Sequence, residues 1–150
     1  EICYGKKIAY DYLSYKQRSK KEVIKKLKLK KISEGTIDEI IVLLEKQKYI
    51  DDTAYAKNYL DDKLNKKPIG KRLAKLKLSE KGIDKEIIES TVEENYSEDK
   101  EIELGKELLK KYEKKVKYND EAEKKNKCYR YLISRGFDYE IINEILNDRY

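Results

Sequence analysis

Apolar residues recur along this chain at the three- and four-residue spacing of amphipathic helices, and no segment alternates with the period of two that a strand requires. Residues 1–8 read as a short arm or the first turn of a helix. Ala9, Tyr12 and Leu13 then trace a stripe that ends near Arg18. Ser19-Lys20-Lys21-Glu22 has the form of a capping box, in which the Ser hydroxyl meets the Glu N–H and the Glu carboxylate reaches back to the cap. A second helix is predicted from there, with Val23, Ile24 and Leu27 on its apolar face and Leu29 and Ile32 closing it. After Gly35, Thr36-Ile37-Asp38-Glu39 reads as another capping box, and Ile37, Ile40, Ile41 and Leu44 follow helical spacing. Val42 and Leu43 widen that stripe, so the third helix is expected to be apolar over most of its circumference.

The pattern then starts again. Asp51 caps a helix that carries Ala56, Tyr59, Leu60 and Leu64 inward, with Ile50 and Tyr55 at the staple positions. Pro68 suits the first position of the next helix, which runs through Leu73, Leu76 and Leu78 to Gly82. Ile83 before the Asp84 cap faces Ile88. Ser97, with Glu98 and Asp99 in its first turn, opens a longer helix marked by Ile102, Gly105, Leu108, Leu109, Tyr112 and Val116. Asn119 and Asp120 start another, burying Cys128, Tyr131 and Leu132. Phe137 before the Asp138 cap repeats the staple with Ile142, and Ile145 and Leu146 continue it.

Gly35, Gly82 and Gly136 each stand four residues before Glu-Ile-Ile, separated first by 47 and then by 54 residues. Self-similarity at such a period marks helical repeat arrays. The chain is therefore expected to be all-α, as three tandem three-helix modules over residues 1–50, 51–96 and 97–150.

Charge sharpens this picture. Charged residues make up 44% of the 150, yet 39% remain hydrophobic and regularly spaced, which favours slim helices with wide solvated faces over disorder. At this length roughly 70% of the unfolded surface can be buried, so no disulfide or metal is needed for stability. The net charge of +6 favours anionic partners, nucleic acid or an acidic protein surface. Most of the positive charge is Lys. Only Arg18, Arg72, Arg130, Arg135 and Arg149 can make bidentate contacts. Cys3 and Cys128 lie far apart with no His in the chain, which supports neither a disulfide framework nor a zinc site. No apolar run reaches membrane length and no signal pattern appears, so a cytoplasmic monomer without membrane contact is expected. A chain beginning at Glu1 and lacking Met reads as a piece of a longer product.

Candidate chemistry is sparse. There is no Gly-rich phosphate loop, no nucleophile elbow and no spaced metal ligands, so neither an enzyme nor a cofactor is expected. Asp51-Asp52 is explained as a helix cap beside a first-turn acid. Three basic clusters remain: Lys20, Lys21, Lys25 and Lys26; Lys66, Lys67, Lys71 and Arg72; and Arg130 with Arg135. Each alone is also what a solvated helix face looks like. Roughly equivalent positions in the three modules could set them in one basic band, and extended surfaces of this kind hold long partners. Of the fourteen tyrosines, Tyr12, Tyr55, Tyr59, Tyr112 and Tyr131 fall on core stripes, whereas Tyr10, Tyr15 and Tyr118 are placed for contacts.

Asp51-Asp52-x-x-Tyr55-Ala56-x-x-Tyr59, followed by Lys67-x-x-Gly70 and by Leu76 through Lys81-Gly82-Ile83, resembles the central repeat of the RecX regulatory proteins. Ala9-Tyr10-x-Tyr12-Leu13-Ser14-Tyr15-Lys16-x-Arg18-Ser19-x-x-Glu22 is similar to that family's opening helix and its junction, and Arg135-Gly136-Phe137 to its closing turn. The resemblance covers most of residues 9–146. It departs at Tyr15, where the family pattern favours Arg, and over the Lys- and Glu-rich segment 100–127. It implies three tandem three-helix repeats in an elongated, curved body. It also implies a non-enzymatic protein that lies in the groove of the RecA recombinase filament and restrains its ATP hydrolysis, strand exchange and coprotease activity. Arg18 joins the basic clusters above as a candidate contact. The alternative is a basic helical-repeat protein that binds DNA or single-stranded nucleic acid directly. Against it, the third helices carry Glu39, Glu86, Glu89, Glu140 and Glu144, which repel phosphate.

Overall fold

A computed structural model describes residues 1–147; Arg149, one of the five candidate arginines, lies outside the described residues. Among the described residues the regular structure is entirely α-helical: α1 (Ile2–Tyr15), α2 (Lys20–Leu29), α3 (Glu34–Lys46), α4 (Asp52–Lys66), α5 (Lys71–Glu80), α6 (Lys85–Asn95), α7 (Glu98–Glu113), α8 (Glu121–Ser134) and α9 (Tyr139–Asn147). These are tandem three-helix repeats.

The chain divides into two compact units. One comprises Glu1–Asn58 with Leu78–Ile88. In it α1, α2 and α3 pack mutually around Ala9, Val23, Leu27, Ile37, Ile40 and Leu44. The Ser19 box forms as expected: its hydroxyl accepts the Glu22 N–H at 3.2 Å, and the Glu22 carboxylate accepts the Ser19 N–H at 3.1 Å. The other unit comprises Tyr59–Lys77 and the chain from Glu89 onward. There α7, α8 and α9 pack mutually around Leu108, Leu109, Leu132, Phe137, Ile142 and Ile145. Ser97 and Asp120 cap α7 and α8, accepting the N–H groups of Lys100 and Glu123 at 3.1 and 2.8 Å. Asp51 caps α4 through the Ala54 N–H at 3.1 Å.

The repeat register differs from the expected one in the first module. Gly35 is no turn but sits inside the first turn of α3, with Ser33 at the cap, and the box at Thr36 does not form. The left-handed residue that ends the second helix is Lys31 (φ 62°), matching Gly82 (φ 81°) and Gly136 (φ 89°). Each is followed by the same closing bond, from Ile32 to Leu27 O, Ile83 to Leu78 O and Phe137 to Leu132 O, at 3.1–3.2 Å. Ile37, Ile88 and Ile142 are thus the equivalent core residues, and Glu39-Ile40-Ile41 lies one helical turn too late. An apolar stripe that recurs every turn carries no mark of which turn is first.

Three smaller expectations also shift. Helix α1 is already formed at Ile2 and stops at Tyr15, where Lys16 becomes extended. Pro68 lies in the connection before α5, which starts at Lys71, not at the first helical position. Val42 is exposed, so α3 buries one face rather than most of its circumference, and Leu76 on α5 is exposed too.

Candidate partner-binding surfaces

The second helix of a module delivers its N-terminus to the loop that ends the next module's second helix, and the two units each contain one such junction. In the first unit Ser19, fully buried, donates its hydroxyl to the Lys81 carbonyl at 2.7 Å. The Lys20 N–H, an orphan donor at the start of α2, is taken by the Asp52 carboxylate at 2.9 Å. Lys21 lays its side chain across Gly82, where a Cβ would collide with it. In the second unit the Gly70 N–H donates to the Arg135 carbonyl at 2.7 Å and the Arg72 N–H to the Gly136 carbonyl at 3.2 Å. The Lys71 N–H goes to the Glu101 carboxylate at 2.8 Å.

Burial pushes the carboxyls of Asp52 and Glu101 above the ordinary range, against the pull of the N–H each accepts. For Glu22 burial acts the same way, but the Ser19 N–H, Tyr55 and Lys81 outweigh it and hold the group below that range. No local motif marks Asp52 and Glu101 as junction acceptors, nor Tyr96 as buried beside Glu101 and Arg135. No single repeat offset relates the two acids, since Asp52 lies 32 residues after Lys20 and Glu101 lies 30 after Lys71.

The junctions change what the basic residues are free to do. Arg72 donates from Nη2 to the Ile133 carbonyl at 2.6 Å, and Arg135 donates to the carbonyls of Lys67 and Pro68 at 3.2 and 3.1 Å. Arg18 stacks over the Tyr12 ring at 3.9 Å and donates to the Tyr12 carbonyl. Lys20 pairs with Glu45 at 3.5 Å, and Lys66 with Asp62 at 3.2 Å. These residues hold the protein's own groups.

Lys21, Lys25 and Lys26 are brought together with Lys81 in a groove of about 480 Å³ in the first unit, walled by Tyr12 and Leu29. Glu22 and Glu80 line the same groove, leaving four cations against two anions. In the second unit Lys66 and Lys67 meet Lys111 and Lys115, and Arg130 lies near Lys117 and Lys127. Lys71 belongs to neither cluster. The basic residues thus gather on one surface within the first unit, joined by Lys81, and on another within the second, joined by Lys111, Lys115, Lys117 and Lys127. The acids of the third helices, Glu39, Glu86, Glu89, Glu140 and Glu144, are all exposed. Of the tyrosines placed for contacts, Tyr15 and Tyr118 are exposed, whereas Tyr10 is half-buried and donates to Gln47 at 2.7 Å.

Among the described residues no cluster of His, Cys, Asp or Glu is arranged to hold a metal ion. No helix among them is long and apolar enough to cross a membrane.

Profiles described as the first, second and third three-helix domains of RecX match residues 6–42, 51–92 and 98–146. A "Regulatory protein RecX" of Finegoldia magna is 37% identical over 142 residues, covering 92% of this chain and 68% of that protein. One from Streptococcus agalactiae serotype V is 33% identical over 148 residues, and this chain spans 56% of its length. Among solved structures, RecX from Lactobacillus salivarius is similar with a TM-score of 0.90 and 35% identity, over 98% of this chain and 95% of that one.

Proposed function

The chain belongs to the RecX family of regulatory proteins, and from that premise we propose that it works by binding rather than catalysis, docking on the filament of the RecA recombinase. It bridges successive protomers in the filament groove and restrains ATP hydrolysis, strand exchange and coprotease activity. A ligand that spans subunits in one filament geometry stabilises that geometry by its differential affinity, and slower turnover follows without any chemistry. Tandem modules add avidity, so single contacts can be weak.

The observation that carries the reading, beside family membership, is the α2 groove. Lys21 and Lys25 are exposed, and no carbonyl or carboxylate of the protein claims their ammonium groups among the described residues. They stand on a helix anchored at its N-terminus by Ser19 and Asp52, a rigid mount for an acidic partner surface. Lys20, Lys71, Arg72 and Arg135 contribute by fixing the modules that carry the contact residues, and Arg18 by holding Tyr12 at the groove wall.

The test is a titration of DNA-dependent ATP hydrolysis by the recombinase of the same cell. Inhibition is expected at well below one molecule per protomer. No inhibition at one per protomer overturns the reading.

A further inference from the structure

The end of α4 with α7 and α8 carries a second basic surface whose chemistry differs from that of the α2 groove. Lys66, Lys67, Lys111 and Lys115 line a depression of about 410 Å³ whose apolar wall includes Pro68, Tyr112 and Tyr131. No carboxylate lines it, whereas two line the α2 groove. Tyr112, Tyr131 and Lys115 also line an adjoining depression with Lys117, Lys127 and Arg130. The two tyrosine rings are stacked, 4.2 Å between centroids and 5° from parallel. Lys66 is paired with Asp62 and Lys127 with Glu123, but Lys111, Lys115 and Arg130 are exposed and enter no ion pair among the described residues.

Cations without acids attract an anion. An aromatic platform set among them adds a demand that a carboxylate does not meet and a nucleobase does: every base has a π-face, and stacking on tyrosine is indifferent to sequence. Lys, which dominates here, acts as a point charge that tracks phosphates rather than reading base edges. Bases are open to a side-chain ring when they are not already stacked inside a duplex.

We propose that this α4–α7–α8 face is a binding site for single-stranded nucleic acid, with the phosphodiester backbone on Lys67, Lys111, Lys115 and Arg130 and a base against the Tyr112–Tyr131 stack. The site stands independently of the recombinase reading. It leaves the α2 groove to protein, and it assigns nucleic acid to a surface on the first and second helices rather than to the acidic third helices.

The experiment is fluorescence anisotropy of the whole chain with labelled oligo-dT of about twelve nucleotides, without recombinase, over a range of salt. Binding that weakens with salt is expected. Lys111→Glu, Lys115→Glu and Arg130→Glu together, all at exposed positions, should lower affinity about tenfold or more and flatten the salt slope. Lys21→Glu, Lys25→Glu and Lys26→Glu together should leave affinity within about twofold, since none of the three lines the α4–α7–α8 depressions. Tyr131→Leu should weaken binding about fivefold with the salt slope unchanged, a readout that lost charge does not produce. Failure to bind oligo-dT, equal loss in the α2 variant, or equally tight binding of polyglutamate would each overturn the assignment. Because no recombinase is present, none of these outcomes bears on the ATPase titration.

Discussion

The Ser19 hydroxyl donates to the Lys81 carbonyl at 2.7 Å while it accepts the Glu22 N–H, so one buried side chain caps its own helix and ties it to the end of α5.

Removing that hydroxyl strips the cap and leaves a carbonyl short of its donor. Ser19→Ala should therefore destabilise the protein by about 1–3 kcal/mol, more than a surface cap alone. The midpoint of urea unfolding measures this. A change indistinguishable from zero would mean that water replaces the contact freely.

The left-handed position splits by environment. At Gly136 an added Cβ collides with Leu73, and at Gly82 with the Lys21 side chain, in both cases at positive φ. Gly136→Ala and Gly82→Ala should each cost about 2–4 kcal/mol. Lys31 holds the same backbone angle with a side chain already in place. Lys31→Gly should stabilise by up to about 1 kcal/mol, the relief of φ strain being partly offset by a looser unfolded chain. Thermal melts of the three variants check the signs, and a destabilised Lys31→Gly would contradict the account.

Glu101 makes stability depend on pH in a defined direction. Its carboxyl is raised by burial, with Asp138 and Glu98 adding to the rise and Lys71 opposing it. The folded state thus binds its proton more tightly than the unfolded state. The stability this contributes is complete below the ordinary carboxylate value of 4.5 and is lost as pH rises through the folded value. Glu101→Gln keeps an acceptor for the Lys71 N–H but removes the titration. Wild-type melting temperature minus that of the variant should therefore be larger near pH 4 than near pH 7. A flat or opposite trend by calorimetry would remove Glu101 as the source.

Charge at the α2 groove should govern inhibition rather than folding. Lys21→Glu, Lys25→Glu and Lys26→Glu together are expected to shift the ATPase titration midpoint about tenfold upward with the melting curve unchanged. Reversing Lys71 and Arg72 would be a poorer test, since Arg72 also holds the Ile133 carbonyl. Unchanged inhibition by the α2 variant would move the contact elsewhere.

The pattern of apolar positions was enough to establish that this chain is helical, repeated and capped at Ser19, Asp51, Ser97 and Asp120. Caps and stripes join residues three to seven apart, so a linear reading contains them. The resemblance carried by the Asp51–Tyr59 string and the Arg135-Gly136-Phe137 turn was likewise legible, and the family follows from it. The register of the first module was not. Lys31 stands in a glycine's place with its side chain exposed, which is a fact of packing and not of composition.

The junctions lie beyond local sequence altogether. Lys20 meets Asp52 and Lys71 meets Glu101 across about thirty residues, and Arg135 reaches back to Pro68 across more than twice that. Only folding could sort the basic residues into those that hold the protein together and those that face outward, because a lysine or arginine is spelled the same in either role. The surrounding carbonyls, acids and rings that decide between the two arrive from distant turns of the chain.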